Sequence, residues 1–196
     1  MGDCTCAAVG HAIQTWTANA GEQFIPSDNT ILQLYEKSCG YDPNNPATDQ
    51  GGVETTVLGY WKSNPVAGHA LDAFASVDPH NVVEIKQAVV CMGVVYIGVA
   101  LPISAQTQDV WDVTDPHLQG DSAPGSWGGH AVVVVGYNSR GPLVITWGKV
   151  LQMTWAFWLA YCDEAYALLS KDWLAKNGVS PSGFNYAQLE ADMAAL

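Results

Sequence analysis

The stretch Gly129-His130-Ala131-Val132-Val133-Val134-Val135-Gly136-Tyr137 decides the fold. A short β-branched run closed by glycine at both ends reads as a strand buried on both faces. His130 stands at its first position, after Ser126-Trp127-Gly128-Gly129, where a titratable ring can project from a sheet edge into a cleft. Working outward, Gly93 to Leu101 is a second apolar β run. Leu143 to Trp147 is a third, entered through the turn Asn138-Ser139-Arg140-Gly141-Pro142. Ala70 to Val77 and Ala165 to Leu169 add two more strands. Asp78-Pro79-His80-Asn81 caps a helix running through Val89, and Thr154 caps a short helix with Trp155, Trp158, Leu159 and Cys162 inward. Pro102 to Gly129 is a long polar connection.

The first third of the chain has another period. Cys6, Val9, Ile13 and Trp16 recur at three- and four-residue steps after Asp3, a good N-cap, and predict a helix over 4–19 ended by Gly21. Ala7, Ala8 and Ala12 keep it slim enough to be surrounded on nearly all sides. Ser27-Asp28-Asn29 caps a second helix, Thr30 to Ser38, and Val53 to Ser63 makes a third with Glu54 in its first turn. Between them the Gly40 to Gly52 loop ends in Gly51-Gly52, which lets a backbone come close. Asn185 caps a terminal helix with Leu189 and Met193 inward. The reading is α+β: a single domain over 1–196, with a helical lobe to about residue 68, a β-rich antiparallel lobe over 69–170, a helical extension over 171–196, and a cleft between the lobes.

Composition removes several functions. Seven Lys+Arg stand against 19 Asp+Glu, a formal net charge of −12, so there is no electrostatic footprint for nucleic acid or for an anionic membrane surface. No apolar run reaches the ~18–20 residues of a bilayer span. The start, Met1-Gly2-Asp3-Cys4, has neither the basic nor the apolar region of a signal peptide, which leads to the expectation of a cytoplasmic or virion-associated protein. The 5 cysteines form neither a complete disulfide framework nor a zinc-ligand spacing, so no metal and no cofactor is expected. Cys39, Cys91 and Cys162 read as small buried hydrophobes. His69, His80 and His117 read as solvated, and His11 as a packed, hydrogen-bonded ring.

A cysteine in the first turn of a buried helix is chemically distinctive, because free N–H groups and the helix dipole favour its thiolate. Cys4 occupies that place, and His130 is the best-placed base. Cys6 competes for the nucleophile's role but lies about 200° around the helix, on the core stripe.

In this order, Gly2-Asp3-Cys4, Asp49-Gln50-Gly51-Gly52, Gly129-His130-Ala131…Gly136-Tyr137 and Thr146-Trp147-Gly148 resemble the blocks of the papain-like cysteine peptidases, over roughly residues 2–170. The resemblance is to a divergent member of bacterial or phage type. It implies a papain-like two-lobe fold and a thiol hydrolase acting on a peptide or protein substrate. It also implies Cys4 as nucleophile, His130 as base and acid, Gly51 and Gly52 along the substrate backbone, and Trp147 shielding the histidine. Two blocks depart from the pattern. Ile145 stands where the family has the Asn that orients the histidine; Thr146, a backbone carbonyl, or Asp112 or Asp115 would then substitute. The upstream oxyanion-hole Gln has no counterpart in Met1-Gly2-Asp3, leaving the Cys4 backbone N–H. These departures raise a second expectation, a catalytically impaired papain fold kept for binding an assembly partner, as in a virion.

Overall fold

A helix this rich in alanine can be walled in closely, and the computed structural model, which describes residues 1–174 and 178–194, places it at the centre. Helix α1 (Cys4–Ala20) buries Thr5, Cys6, Ala8, Val9, Gly10, Ala12, Ile13, Trp16 and Thr17, and ends at Gly21 in the left-handed conformation. Asp3 holds the N-cap position, and its carbonyl accepts from the N–H groups of Cys6 and Ala7. Its carboxylate makes no capping bond, contrary to expectation. The backbone there, at φ −88° and ψ 15°, lacks the extended geometry that swings an N-cap side chain over the first turn. Helices α2 (Asp28–Cys39) and α3 (Glu54–Ser63) flank α1; the Ser27 hydroxyl caps α2 by accepting from the Thr30 N–H.

Seven strands form one sheet: β1 (Ala73–Val77), β2 (Val95–Leu101), β3 (Val110–Trp111), β4 (Gly128–Tyr137), β5 (Pro142–Thr146), β6 (Lys149–Met153) and β7 (Cys162–Leu169), in the spatial order β1-β7-β2-β4-β5-β6-β3. Side chains alternate across it. Tyr96, Ala131 and Val133 join α1, Trp16 and Trp61 in one core. Ile97, Val132 and Val134 face a second core built with α4 (Val82–Met92) and α5 (Trp155–Tyr161). Helices α1–α3 precede residue 68 and all seven strands follow it. The segment after 170 holds a 3-10 turn, Lys171–Trp173, and α6 (Tyr186–Ala194), where Asn185 Oδ1 accepts from the Gln188 N–H. The expected inward Met193 lies outside the described side chains.

Several expectations are corrected. The sheet is antiparallel except at its edge, where β3 pairs parallel with β6. Neither strand is legible in the sequence: β3 is two residues inside a polar connection, and β6 follows a turn forced by Trp147 and Gly148, both at positive φ. Leu159 is 47 % exposed, because α5 spans only seven residues and turns Phe157, Trp158 and Tyr161 inward instead. Cys39 and Cys91 are only half-buried. His69 is not a solvated ring: its Nδ1 lies 2.8 Å from Asp172 Oδ2 and its face lies on Phe24.

Glycine has a definite use at Gly52. A Cβ there would come within 2.6 Å of both Cys39 Sγ and Thr5 Oγ1, so the loop can close on α1 only without a side chain. Gly59, inside α3, has nothing within 4 Å. Urea unfolding should therefore show Gly52→Ala destabilised by about 1–3 kcal/mol through overpacking. Gly59→Ala should instead be stabilised by about 0.5–1 kcal/mol through helix propensity.

Candidate active site

The first turn of α1 is fixed to the sheet by Tyr96 of β2, a fully buried side chain whose hydroxyl donates to the Thr5 carbonyl at 2.9 Å. This bond sets Cys4 at the helix end, where the backbone N–H groups of Ala131 and Thr5 favour the charged form of its sulfur. The β2–β4 register aligns Gly98 with Ala131 and Val99 with His130, so the histidine arrives beside the same helix end. Cys4 and His130 line one cavity of about 440 Å³ together with Ala7, His11, Thr146 and Trp147. Among the described residues no hydrogen bond joins the Cys4 thiol to the imidazole.

His130 is held on two sides. Its Nε2 lies 2.8 Å from the hydroxyl oxygen of Thr146, a residue only 2 % exposed. Trp147 stacks on the ring, with centroids 4.9 Å apart and planes 11° from parallel. Thr146, one of the candidates for contacting the imidazole, is thus the residue that meets it. Asp112 and Asp115 do not: Asp112 Oδ1 accepts from the Thr154 hydroxyl and the Val113 N–H, and Asp115 accepts from the His117 N–H. If Nε2–H donates to Thr146, Nδ1 is left as the basic nitrogen; a threonine oxygen can take that role, with less charge than an amide or carboxylate.

The electrostatics oppose the thiolate expected from the helix dipole. Burial pushes the Cys4 thiol above its usual value, and the charges of Glu54 and Asp3 add to the rise. The N–H groups of Ala131 and Thr5 pull the other way without prevailing. Burial likewise holds His130 down to about 4, with repulsion from His11 contributing. The resting pair is a neutral thiol and a neutral imidazole. Nearby, Glu54, Asp163 and Glu164 converge over Gly98, where a side chain would collide with Glu164 and Asp163 and crowd Glu54. Burial and the Glu164 carboxylate raise Glu54 to about 7.

Gly51 and Gly52 do not line the cavity. They lie behind it: Gly51, at φ 79°, backs against Gly2, and its N–H donates to the Tyr35 hydroxyl. Tyr35 in turn donates to Asp49 Oδ1, which also accepts from the Gly2 N–H at 2.8 Å. Cys6 is fully buried, pushed up to about 12 by burial. His11 departs from its sequence reading. It sits two turns along α1 from Cys4 on the same face, half-buried, and its ring has no hydrogen-bond partner among the described residues. No group of three or more His, Cys, Asp or Glu among the described residues is placed to hold a metal, and no helix is long and apolar enough to cross a membrane.

The depressed His130 pKa makes a stability prediction. Between pH 6.5 and about 4 the unfolded chain binds a proton at this residue that the folded chain does not. Its contribution is therefore complete above pH 6.5 and is lost as pH falls towards 4. His130→Gln should remove up to about 1.4 kcal/mol per pH unit of this acid sensitivity. Urea unfolding of both proteins at pH 7 and pH 5 measures it.

No family model matches the chain, and no curated protein matches it in sequence. Among solved structures it is similar to the cysteine protease CMS1MS2 of Carica candamarcensis, solved in complex with E-64. The TM-score is 0.56 at 14 % identity, covering 85 % of this chain and 88 % of that one. The mixed helical and antiparallel architecture, with α1 seated against the sheet, is accordingly a papain-like fold.

Proposed function

We propose that this protein is a thiol hydrolase acting on peptide or amide bonds, with Cys4 as the nucleophile and His130 as its proton partner. The observation that carries the reading is one cavity lined by a thiol at a helix N-terminus and an imidazole whose far nitrogen is already engaged by Thr146. A peptide or protein segment is the substrate. Because both groups rest neutral, His130 Nδ1 takes the thiol proton as the sulfur attacks the carbonyl carbon, rather than in a separate earlier step. The tetrahedral oxyanion then faces the Cys4 backbone N–H, which has no partner among the described residues. His130 returns the proton to the departing amine, and water resolves the acyl-enzyme by the same route. Trp147 keeps bulk water from one face of the imidazole throughout.

A second reading is favoured by specific observations. The raised thiol, the absent sulfur–imidazole bond and a hydroxyl in place of a stronger orienting group fit a papain fold kept for binding an assembly partner, without turnover. Each missing oxyanion donor costs ~10²–10³ in rate, so a weak enzyme and a binding module differ by few groups.

Mass spectrometry after treatment with a peptidyl epoxide should find Cys4 modified first among the five thiols, and His130→Ala should abolish that priority. Equal, slow modification of all five would reject the hydrolase and leave the binding module. For a neutral pair, Cys4 alkylation by iodoacetamide should accelerate about tenfold per pH unit through neutrality. A flat rate from pH 5 to 8 would instead mark a preformed ion pair. Thr146→Val should lower kcat/KM about 10–100-fold, chiefly through kcat, with recovery in Thr146→Ser.

A further inference from the structure

The face of α1 that carries Cys4 does not stop at the candidate active site. Ala7 and His11 follow at three- and seven-residue steps, and with Asp3 they also wall a second cavity of about 280 Å³ on the other side of His11. The two hollows share these three residues, so a chain lying over Cys4 is led past the His11 ring into the second. Its far wall comes from the approach to α2: Ile25, Pro26, Asp28 and Ile31. Gly10 makes the closeness possible, since a Cβ there would fall 2.8 Å from Ile31 Cδ1.

The lining has a particular chemistry. Ile25, Pro26 and Ile31 supply apolar walls, and Ile25 is 62 % exposed in the open hollow. Asp3 and Asp28 stand at the same cavity, and among the described residues neither carboxylate has an ion-pair or hydrogen-bond partner. No Lys or Arg lines either hollow. His11 lies below its ordinary pKa through burial, so it supplies no standing cation. Apolar walls with free carboxylates match a side chain that has an aliphatic stem and a cationic head.

We infer that the cavity between α1 and the start of α2 is a substrate subsite for a lysine or arginine side chain of the peptide held over Cys4. This deepens the hydrolase reading and rests on the Cys4 cavity being a substrate cleft. The stem lies against Ile25, Pro26 and Ile31 while the head meets Asp28 and Asp3. The net charge of −12 favours the approach of basic over acidic peptides.

The test reads binding separately from turnover. Hexapeptides carrying a single lysine, norleucine or glutamate at each position in turn are titrated calorimetrically into the Cys4→Ala chain. At one position lysine should bind about five- to tenfold tighter than norleucine, with an advantage that shrinks as salt is raised. Asp28→Asn should remove most of that advantage, and Asp28→Lys should reverse it in favour of glutamate. Gln14→Trp, which fills the hollow without altering charge, should weaken the lysine and norleucine peptides together and remove the lysine advantage. Equal binding of lysine and norleucine at every position, or a preference indifferent to both Asp28 variants, overturns the subsite. Lysine-selective binding without cleavage by the unmodified chain rejects the hydrolase and keeps the subsite; cleavage without any basic preference does the opposite.

Discussion

The candidate site depends on how the first turn of α1 is seated against the sheet. The Tyr96 hydroxyl reaches the Thr5 carbonyl from β2, and the Ala131 N–H of β4 eases the charged form of the Cys4 sulfur. Both come from strands that are themselves fully engaged, so the helix end has little freedom to drift. A buried neutral hydrogen bond adds only about 1 kcal/mol to net stability, but leaving the carbonyl or the phenol unsatisfied costs more, and this asymmetry enforces position. Trp16 and Trp61, both fully buried with rings 5.8 Å apart, anchor the rest of the helix to its neighbours.

That seating has an electrostatic cost. Enclosing the thiol and the imidazole disfavours the charged form of each, and the surrounding carboxylates of Asp3 and Glu54 push the sulfur in the same direction. The N–H groups at the helix start recover part of this. The site thus combines good positioning with a weak resting driving force for proton transfer, and Thr146 holds the imidazole with a neutral oxygen. On the proposed hydrolase reading, a substrate that expels water and places a polarised carbonyl beside the sulfur would act on this balance from outside the protein.

Much of the fold was legible because burial leaves a period. The three-to-four-residue spacing from Cys6 to Trp16 and the unbroken valines after His130 specify their elements without tertiary information, and the capping residues Ser27, Asn81 and Thr154 mark helix starts to within a few residues. The short edge strands β3 and β6 were hidden because two to five residues of mixed polarity carry no period. At the site, Cys4 and His130 could be named from local pattern and Thr146 only as one option among several. What failed was long-range. The thiol's pKa depends on Ala131 and Glu54, the pairing of His69 spans 103 residues, and Gly51-Gly52 showed that something approaches closely without showing that it is the start of α1 itself.

The register of β4 distributes tolerance to insertion unevenly. The connection ahead of it is tied down at its far end by bonds from the Gly125 and Trp127 N–H groups to the Ala100 and Leu101 carbonyls. Residues can be gained or lost at the exposed turn around Pro116 and His117 while the strand stays in place, but not at Trp111 of β3, which is fully buried against Phe157. Inside 128–134 the opposite holds, because a strand shifted by one residue turns every side chain to the other face of the sheet. A single deletion there would take the imidazole out of the register that aligns it with Val99, so the length of these few residues is under tighter constraint than the identity of most of them.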